Sequence, residues 1–132
     1  GFTNGCFDIL HVGHISLLKQ AKDNCDYLTV GLNSDKSVKK LKGDSRPVNK
    51  QEIRKQMLMA LKYVDDVIIF DEETPLNLIK ELSPDVLIKG EDYEMDQIIG
   101  KDYVLSTGGE IIRAKLVSEM STTNTIANIK RI

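Results

Sequence analysis

The two histidines of this 132-residue chain stand close together in Asn4-Gly5-Cys6-Phe7-Asp8-Ile9-Leu10-His11-Val12-Gly13-His14, directly before a run with helical apolar spacing. Ile15, Leu18, Ala21, Lys22 and Cys25 form that stripe, so Gly13 lies at the mouth of a helix and His14 in its first turn. A helix start offers unpaired N–H groups and about half a positive charge, and glycine lets a bulky anion approach the backbone. Two imidazoles added to that cradle can donate to phosphate oxygens and stabilise charge that develops in a transition state. Asp8 is placed to orient an imidazole or to help hold a metal. One histidine here would more often cap the helix; the pair favours phosphate chemistry. A closed zinc site needs four ligands, whereas Asp8, His11 and His14 supply three at most, and Cys6 and Cys25 are not arranged to complete it.

The composition suits one globular domain over residues 1–132, with 41% apolar and 29% charged residues. A formal charge of −2 argues against general nucleic-acid binding. Two cysteines without a CxxC pair suggest a reducing, cytoplasmic setting, and no apolar run approaches a membrane span. The opening Gly1-Phe2-Thr3-Asn4 reads as the end of a strand, so a longer or fused protein is expected.

Short β-branched runs alternate with helical patterns, which predicts an α/β fold: a Rossmann-like parallel five-stranded sheet with helices on both faces. After the fragment at 1–4 and a helix near 13–24, strands are expected at 27–32, 67–70, 86–88 and 110–114. Lys36, Lys39, Lys40 and Lys42 form a basic segment leading into a Gly43 to Pro47 loop. A helix is expected over 50–63 with Ile53, Met57, Ala60, Leu61 and Val64 on one face. Thr74-Pro75 should open a helix ending before Pro84. A shorter helical stretch is expected over 95–106, and Ser121 to Asn124 should cap a last helix.

Four polar clusters follow the predicted strands: the histidine segment, Lys39 to Arg46, Lys89 to Tyr93, and Ser118 to Asn124. In a parallel sheet such positions converge on one rim. Singly each is weak, since a Ser-Thr-Thr-Asn helix start is usually a cap, a lysine-rich turn is usually solvated, and Arg54 could pair with Glu52 or Asp66. Together they suit a nucleoside triphosphate held between two helix starts, with cations from Lys42, Arg46 or Arg54.

The Asn4 to His14 segment resembles the HxGH segment of the cytidylyltransferase-like nucleotidyltransferases, and Ser121-Thr122-Thr123 resembles their C-terminal signature. Leu41-Lys42-Gly43-Asp44-Ser45-Arg46-Pro47-Val48-Asn49 and Lys89-Gly90-Glu91-Asp92-Tyr93 are most similar to the subgroup that adenylylates D-glycero-β-D-manno-heptose 1-phosphate. The resemblance implies direct attack of a sugar-phosphate oxygen on the α-phosphorus of ATP, with pyrophosphate leaving. It implies His11, His14 and Lys42 as catalytic residues. Thr3, Asn4, Gly5, Phe7, Asp8, Gly13, Arg54, Lys89, Gly90, Ser121, Thr122 and Thr123 would contact nucleotide or phosphate. Arg46, Asp92 and Tyr93 would contact the sugar phosphate. Mg²⁺ is expected to travel with the triphosphate, with Asp8 as the one candidate protein ligand. A homodimer, and fusion to or cooperation with a sugar kinase, are further expectations from relatives.

One departure matters. The glycerol-3-phosphate branch carries Arg-Thr shortly before Ser-Thr-Thr, where this chain has Leu116-Val117. The change argues against that branch and leaves the superfamily reading intact; the first rival is a CTP-dependent enzyme acting on glycerol 3-phosphate or another small phosphate. A rival of another class is a nucleotide-binding module that does not catalyse, against which the intact His11-Val12-Gly13-His14 speaks.

Overall fold

The structure, a computed structural model, describes residues 1–116 together with Ile126. Five strands, β1 (Phe2–Gly5), β2 (Thr29–Asn33), β3 (Asp66–Phe70), β4 (Val86–Gly90) and β5 (Glu110–Ala114), form one sheet in the order β3-β2-β1-β4-β5. All pairings are parallel. The Rossmann-like α/β expectation holds.

Parallel strands are covered on both faces, and successive side chains supply the two sides. Val30 and Leu32 of β2, Val67 of β3 and Ile88 of β4 pack with Leu18, Ala21 and Leu58 on one face. Phe2 of β1, Phe70 of β3 and Leu87 of β4 pack with Leu78, Ile79, Ile98 and Val104 on the other. Gly31 leaves room for the Phe2 ring, since a β-carbon there would sit 2.6 Å from it.

Helix α1 (Val12–Asp23) buries Leu18 and Ala21. Helix α2 (Asp35–Lys42) occupies the stretch read from sequence only as a basic segment. Ser34 Oγ caps it by accepting from Ser37 N at 3.2 Å, and Gly43 closes it at φ +102°. Helix α3 runs over Gln51–Met59, shorter than the expected 50–63, and its inner face differs from the expectation. Arg54 and Leu58 are buried, while Ile53 and Met57 are about half exposed. Helix α4 (Leu76–Leu82) begins after Pro75 and stops before Pro84, with Ser83 left-handed at φ 49°. The expected stretch over 95–106 is divided into a 3-10 turn at Met95–Gln97 and helix α5 (Lys101–Ser106). Gly100 separates them at φ +88°, and its missing side chain admits Ile79. The expected final helix lies outside the described residues, apart from helical Ile126.

Candidate active site

Strand order reverses between β1 and β4, and open parallel sheets bind ligands where strands at such a point part. Here β1 and β4 share the single register pair Phe2↔Leu87. Beyond it the strands are bridged by a side chain: Lys89 Nζ donates to Asn4 O at 3.1 Å and to Asn4 Oδ1 at 3.3 Å. The same ammonium lies 4.7 Å from the centre of the Tyr93 ring. Burial lowers the Lys89 pKa to about 8, against the opposing pull of Asp92 and Cys6.

The turn from β1 into α1 carries the histidines. Each uses one ring nitrogen to cap the helix: Gly13 N donates to His11 Nδ1 at 3.1 Å, and His11 N donates to His14 Nδ1 at 3.3 Å. A nitrogen that accepts cannot carry a proton, so both neutral rings hold theirs on Nε2. The rings stack with centroids 3.8 Å apart. Burial, then the neighbouring His11, pushes the His14 pKa down to about 4; burial alone pushes His11 down. The pair is therefore neutral near pH 7 and presents two Nε2–H donors. His11 Nε2 is buried with no protein partner among the described residues, which is costly unless a ligand accepts from it. The capping and phosphate readings both apply, on different nitrogens.

Phe7 holds this turn in place. It adopts φ 45°, unusual for a bulky residue, and strained backbone of this kind concentrates at functional sites. Its buried ring packs 5.2 Å from the His14 ring centre. Gly5 leaves room beneath it, because a β-carbon there would lie 3.0 Å from the Phe7 ring and press it aside.

Two clefts flank the histidines. The larger, about 510 Å³, adds Lys42 and Arg46 to a wall shared with Asn4, Gly5, Phe7, His11, His14, Lys89 and Tyr93. The smaller, about 250 Å³, shares those residues and adds Gly13, Gly90 and Asp92. These sequence-predicted residues thus come together on one rim. Sequence reasoning missed Cys6 and Asn33 as lining residues, and Glu73, Thr74, Pro75 and Gln97 to Ile99 in the loops after β3 and β4. Asn33 ends a strand and was findable by the rim rule; Thr74-Pro75 signalled only a helix start, and the other loop residues carry no motif. Ser121, Thr122 and Thr123 lie outside the described residues.

Three expected contacts take another form. Arg54, expected at phosphate, is 1% exposed and lines neither cleft. Its Nε donates to Asn49 O at 2.9 Å, Nη1 to Cys6 O at 2.8 Å and Asn33 O at 2.7 Å, and Nη2 to Asp35 Oδ1 at 2.8 Å. It is a buried strut tying together the segments around the site, not a surface partner of Glu52 or Asp66. Thr3 points to the opposite side of β1 from Asn4, is fully buried, and lines neither cleft. Its alternation with Asn4 along the strand turns the hydroxyl away from the site.

Asp8 touches the larger cleft, but its carboxylate is engaged inside the protein. Arg46 Nε donates to Oδ2 at 2.9 Å, Val48 N to Oδ2 at 2.8 Å and Asn49 N to Oδ1 at 2.9 Å. Burial works to raise its pKa, yet the bonds from Asn49, Val48 and Arg46 hold it below the ordinary carboxylate value. It orients no imidazole, since both Nδ1 atoms accept backbone N–H groups. Among the described residues no group of three or more His, Cys, Asp or Glu is placed to hold a metal, so this donor set does not fit a resident ion.

Comparison with known proteins agrees with this architecture. The chain is 57% identical over 129 residues to the bifunctional protein HldE of Caulobacter vibrioides, covering 98% of this chain and 27% of that protein. The HldE protein of Campylobacter fetus subsp. fetus is 58% identical over 129 residues, again 98% and 27%. The chain thus spans about a quarter of the length of these curated relatives. The crystal structure of the lipopolysaccharide core biosynthesis protein from Thermoplasma volcanium GSS1 superposes with a TM-score of 0.74 at 29% identity, covering 89% of this chain and 96% of that one. The cytidylyltransferase-like family model matches residues 2–127, from the first strand through the histidine turn and all five strands, and the chain belongs to that family.

Proposed function

We propose that this chain transfers AMP from ATP to D-glycero-D-manno-heptose 1-phosphate, giving ADP-heptose and pyrophosphate. The observation that carries the reading is the neutral, stacked histidine pair, which lines both clefts together with Lys89 and, on the larger side, Lys42 and Arg46. An acceptor phosphate oxygen attacks the α-phosphorus while the bond to the β-phosphate oxygen breaks, with no protein-bound intermediate. His11 and His14 donate to the oxygens on which charge builds, and preorganised donors of this kind are worth about 2.7–4 kcal/mol each. As neutral groups they need not lose or gain a proton. Lys42 and Arg46 neutralise the sugar phosphate in the larger cleft. Gly13 and Gly90 border the smaller cleft, assigned to the nucleotide, whose β- and γ-phosphates would reach Ser121, Thr122 and Thr123.

Mg²⁺ would travel with the triphosphate and, when bound, would supply charge neutralisation there. The heptose assignment rests on the similarity of Leu41 to Asn49 and Lys89 to Tyr93 to the heptose adenylyltransferases. The lipopolysaccharide biosynthesis protein of the same fold supports it. The relatives' description as bifunctional, and their greater length, support a second activity outside these residues, for which a sugar kinase is the expected partner.

Pyrophosphate release measured across ATP, CTP and GTP, each with heptose 1-phosphate and glycerol 3-phosphate, tests the assignment. Turnover is expected with ATP and heptose 1-phosphate. Turnover with CTP alone would overturn the donor, and tight ATP binding without pyrophosphate from any acceptor would overturn catalysis.

A further inference from the structure

The Arg46 side chain is only 11% exposed, yet among the described residues it makes one bond, from Nε to Asp8. Among the described residues its two terminal nitrogens have no protein acceptor, and the residue lines the larger cleft. A guanidinium held at Nε with its terminal N–H groups left for the cleft is ready to bind an acceptor there. The cleft also presents Lys42, Lys89 and the two histidine donors, so the completing group is an anion.

Asp8 fixes the direction of that guanidinium. Its side chain is fully buried; Val48 N donates to both of its oxygens and Asn49 N to Oδ1, while Oδ2 also accepts from Arg46 Nε. Asn49 Nδ2 returns a bond to Asp8 O at 2.8 Å, and the buried Arg54 Nε holds Asn49 O. The carboxylate therefore cannot follow Arg46 if it swings. An arginine tethered at Nε keeps one face of its planar fork free, which is the geometry for two parallel bonds to a phosphate.

Resting on the reading of the larger cleft as the acceptor side, we propose that Asp8 is a positioning residue that aims Arg46, and that Arg46 grips the acceptor's phosphate group through both terminal nitrogens. Asp8 acts on the substrate only through Arg46. It neither ligates a metal nor touches the ester.

The test is a double-mutant cycle of Asp8→Asn and Arg46→Gln, read first by calorimetric titration of the protein with inorganic phosphate. Coupling through Arg46 makes the two changes non-additive. Arg46→Gln is expected to weaken phosphate binding by at least about tenfold. Asp8→Asn should weaken it similarly in the native background and have little further effect once Arg46 is gone. Arg46→Lys leaves Asp8 untouched and keeps the charge without the two-nitrogen fork, so it should recover only part of the phosphate binding lost in Arg46→Gln. That arm tests the two-nitrogen grip of Arg46 even if Asp8→Asn fails to fold. Unchanged phosphate binding in Arg46→Gln, native binding in Arg46→Lys, or additive losses in the cycle would overturn the proposal. Kinetics of the same variants should show a raised KM for the sugar phosphate with the KM for ATP unchanged; the reverse pattern would overturn it. If the native protein releases no pyrophosphate while phosphate binding follows the expected pattern, the functional reading fails and the Asp8–Arg46 device stands.

Discussion

His11 and His14 stack at 3.8 Å while each gives its Nδ1 lone pair to a backbone N–H at the start of α1. The helix thereby fixes both tautomers, and the two remaining donors are set before any ligand arrives. Such preorganisation is what makes a hydrogen bond useful to a transition state, because no reorganisation is needed as charge develops.

The free protein should show both imidazoles as Nε2–H tautomers at pH 7 in long-range ¹H–¹⁵N NMR spectra. His14 should stay neutral until the pH approaches about 4. Its pKa is depressed, so protonation opposes folding: its contribution is complete above the ordinary value of 6.5 and is lost as pH falls toward 4. A His14 titration near 6.5 would contradict the buried pair.

Lys89 should produce an alkaline limb. With a pKa of about 8, its ammonium is charged below that pH and neutral above it, so kcat/KM should fall as pH rises through 8. Lys89→Arg keeps its charge throughout, and should move the limb upward where the longer fork is accommodated. An unmoved limb in an active variant would assign it to another group.

Gly5→Ala should leave a folded protein with reduced turnover. The added carbon meets the Phe7 ring at 3.0 Å, and Phe7 in turn packs on His14. Displacements of a few tenths of an ångström at such a site should lower kcat by roughly tenfold. Native kcat would show that Phe7 does not set the histidine position.

Arg54→Met should cost stability rather than nucleotide affinity. It strips donors from Cys6, Asn33 and Asn49 carbonyls and from Asp35, and breaking a buried charged network costs about 3–5 kcal/mol. Urea unfolding measures the loss. A stable variant with a raised KM for ATP would restore Arg54 to the phosphate.

The contrast between Arg54 and His11 shows what the sequence made legible. Alternating apolar runs led to the parallel sheet, and rim convergence brought His11, His14, Lys42, Arg46 and Lys89 together before any coordinates. Helix α3 was phased wrongly because its inward position is held by a charged residue. Placing the stripe on Ile53 and Met57 rather than Arg54 and Leu58 rotates the helix by one residue, about 100°. Helix α2 escaped because it buries only Ser37 and Val38, too little to leave an apolar pattern. Asp8 looked available because a carboxylate beside a histidine motif says nothing of Val48 and Asn49, whose amides approach it from forty residues away in the chain.

Pyrophosphate release by His14→Ala with saturating ATP and heptose 1-phosphate tests the electrostatic role of the histidine pair most directly. The account expects a drop in turnover of roughly a hundredfold or more, the loss seen when one preorganised donor is removed, with the fold retained by circular dichroism. Turnover within a few-fold of the native protein would contradict it.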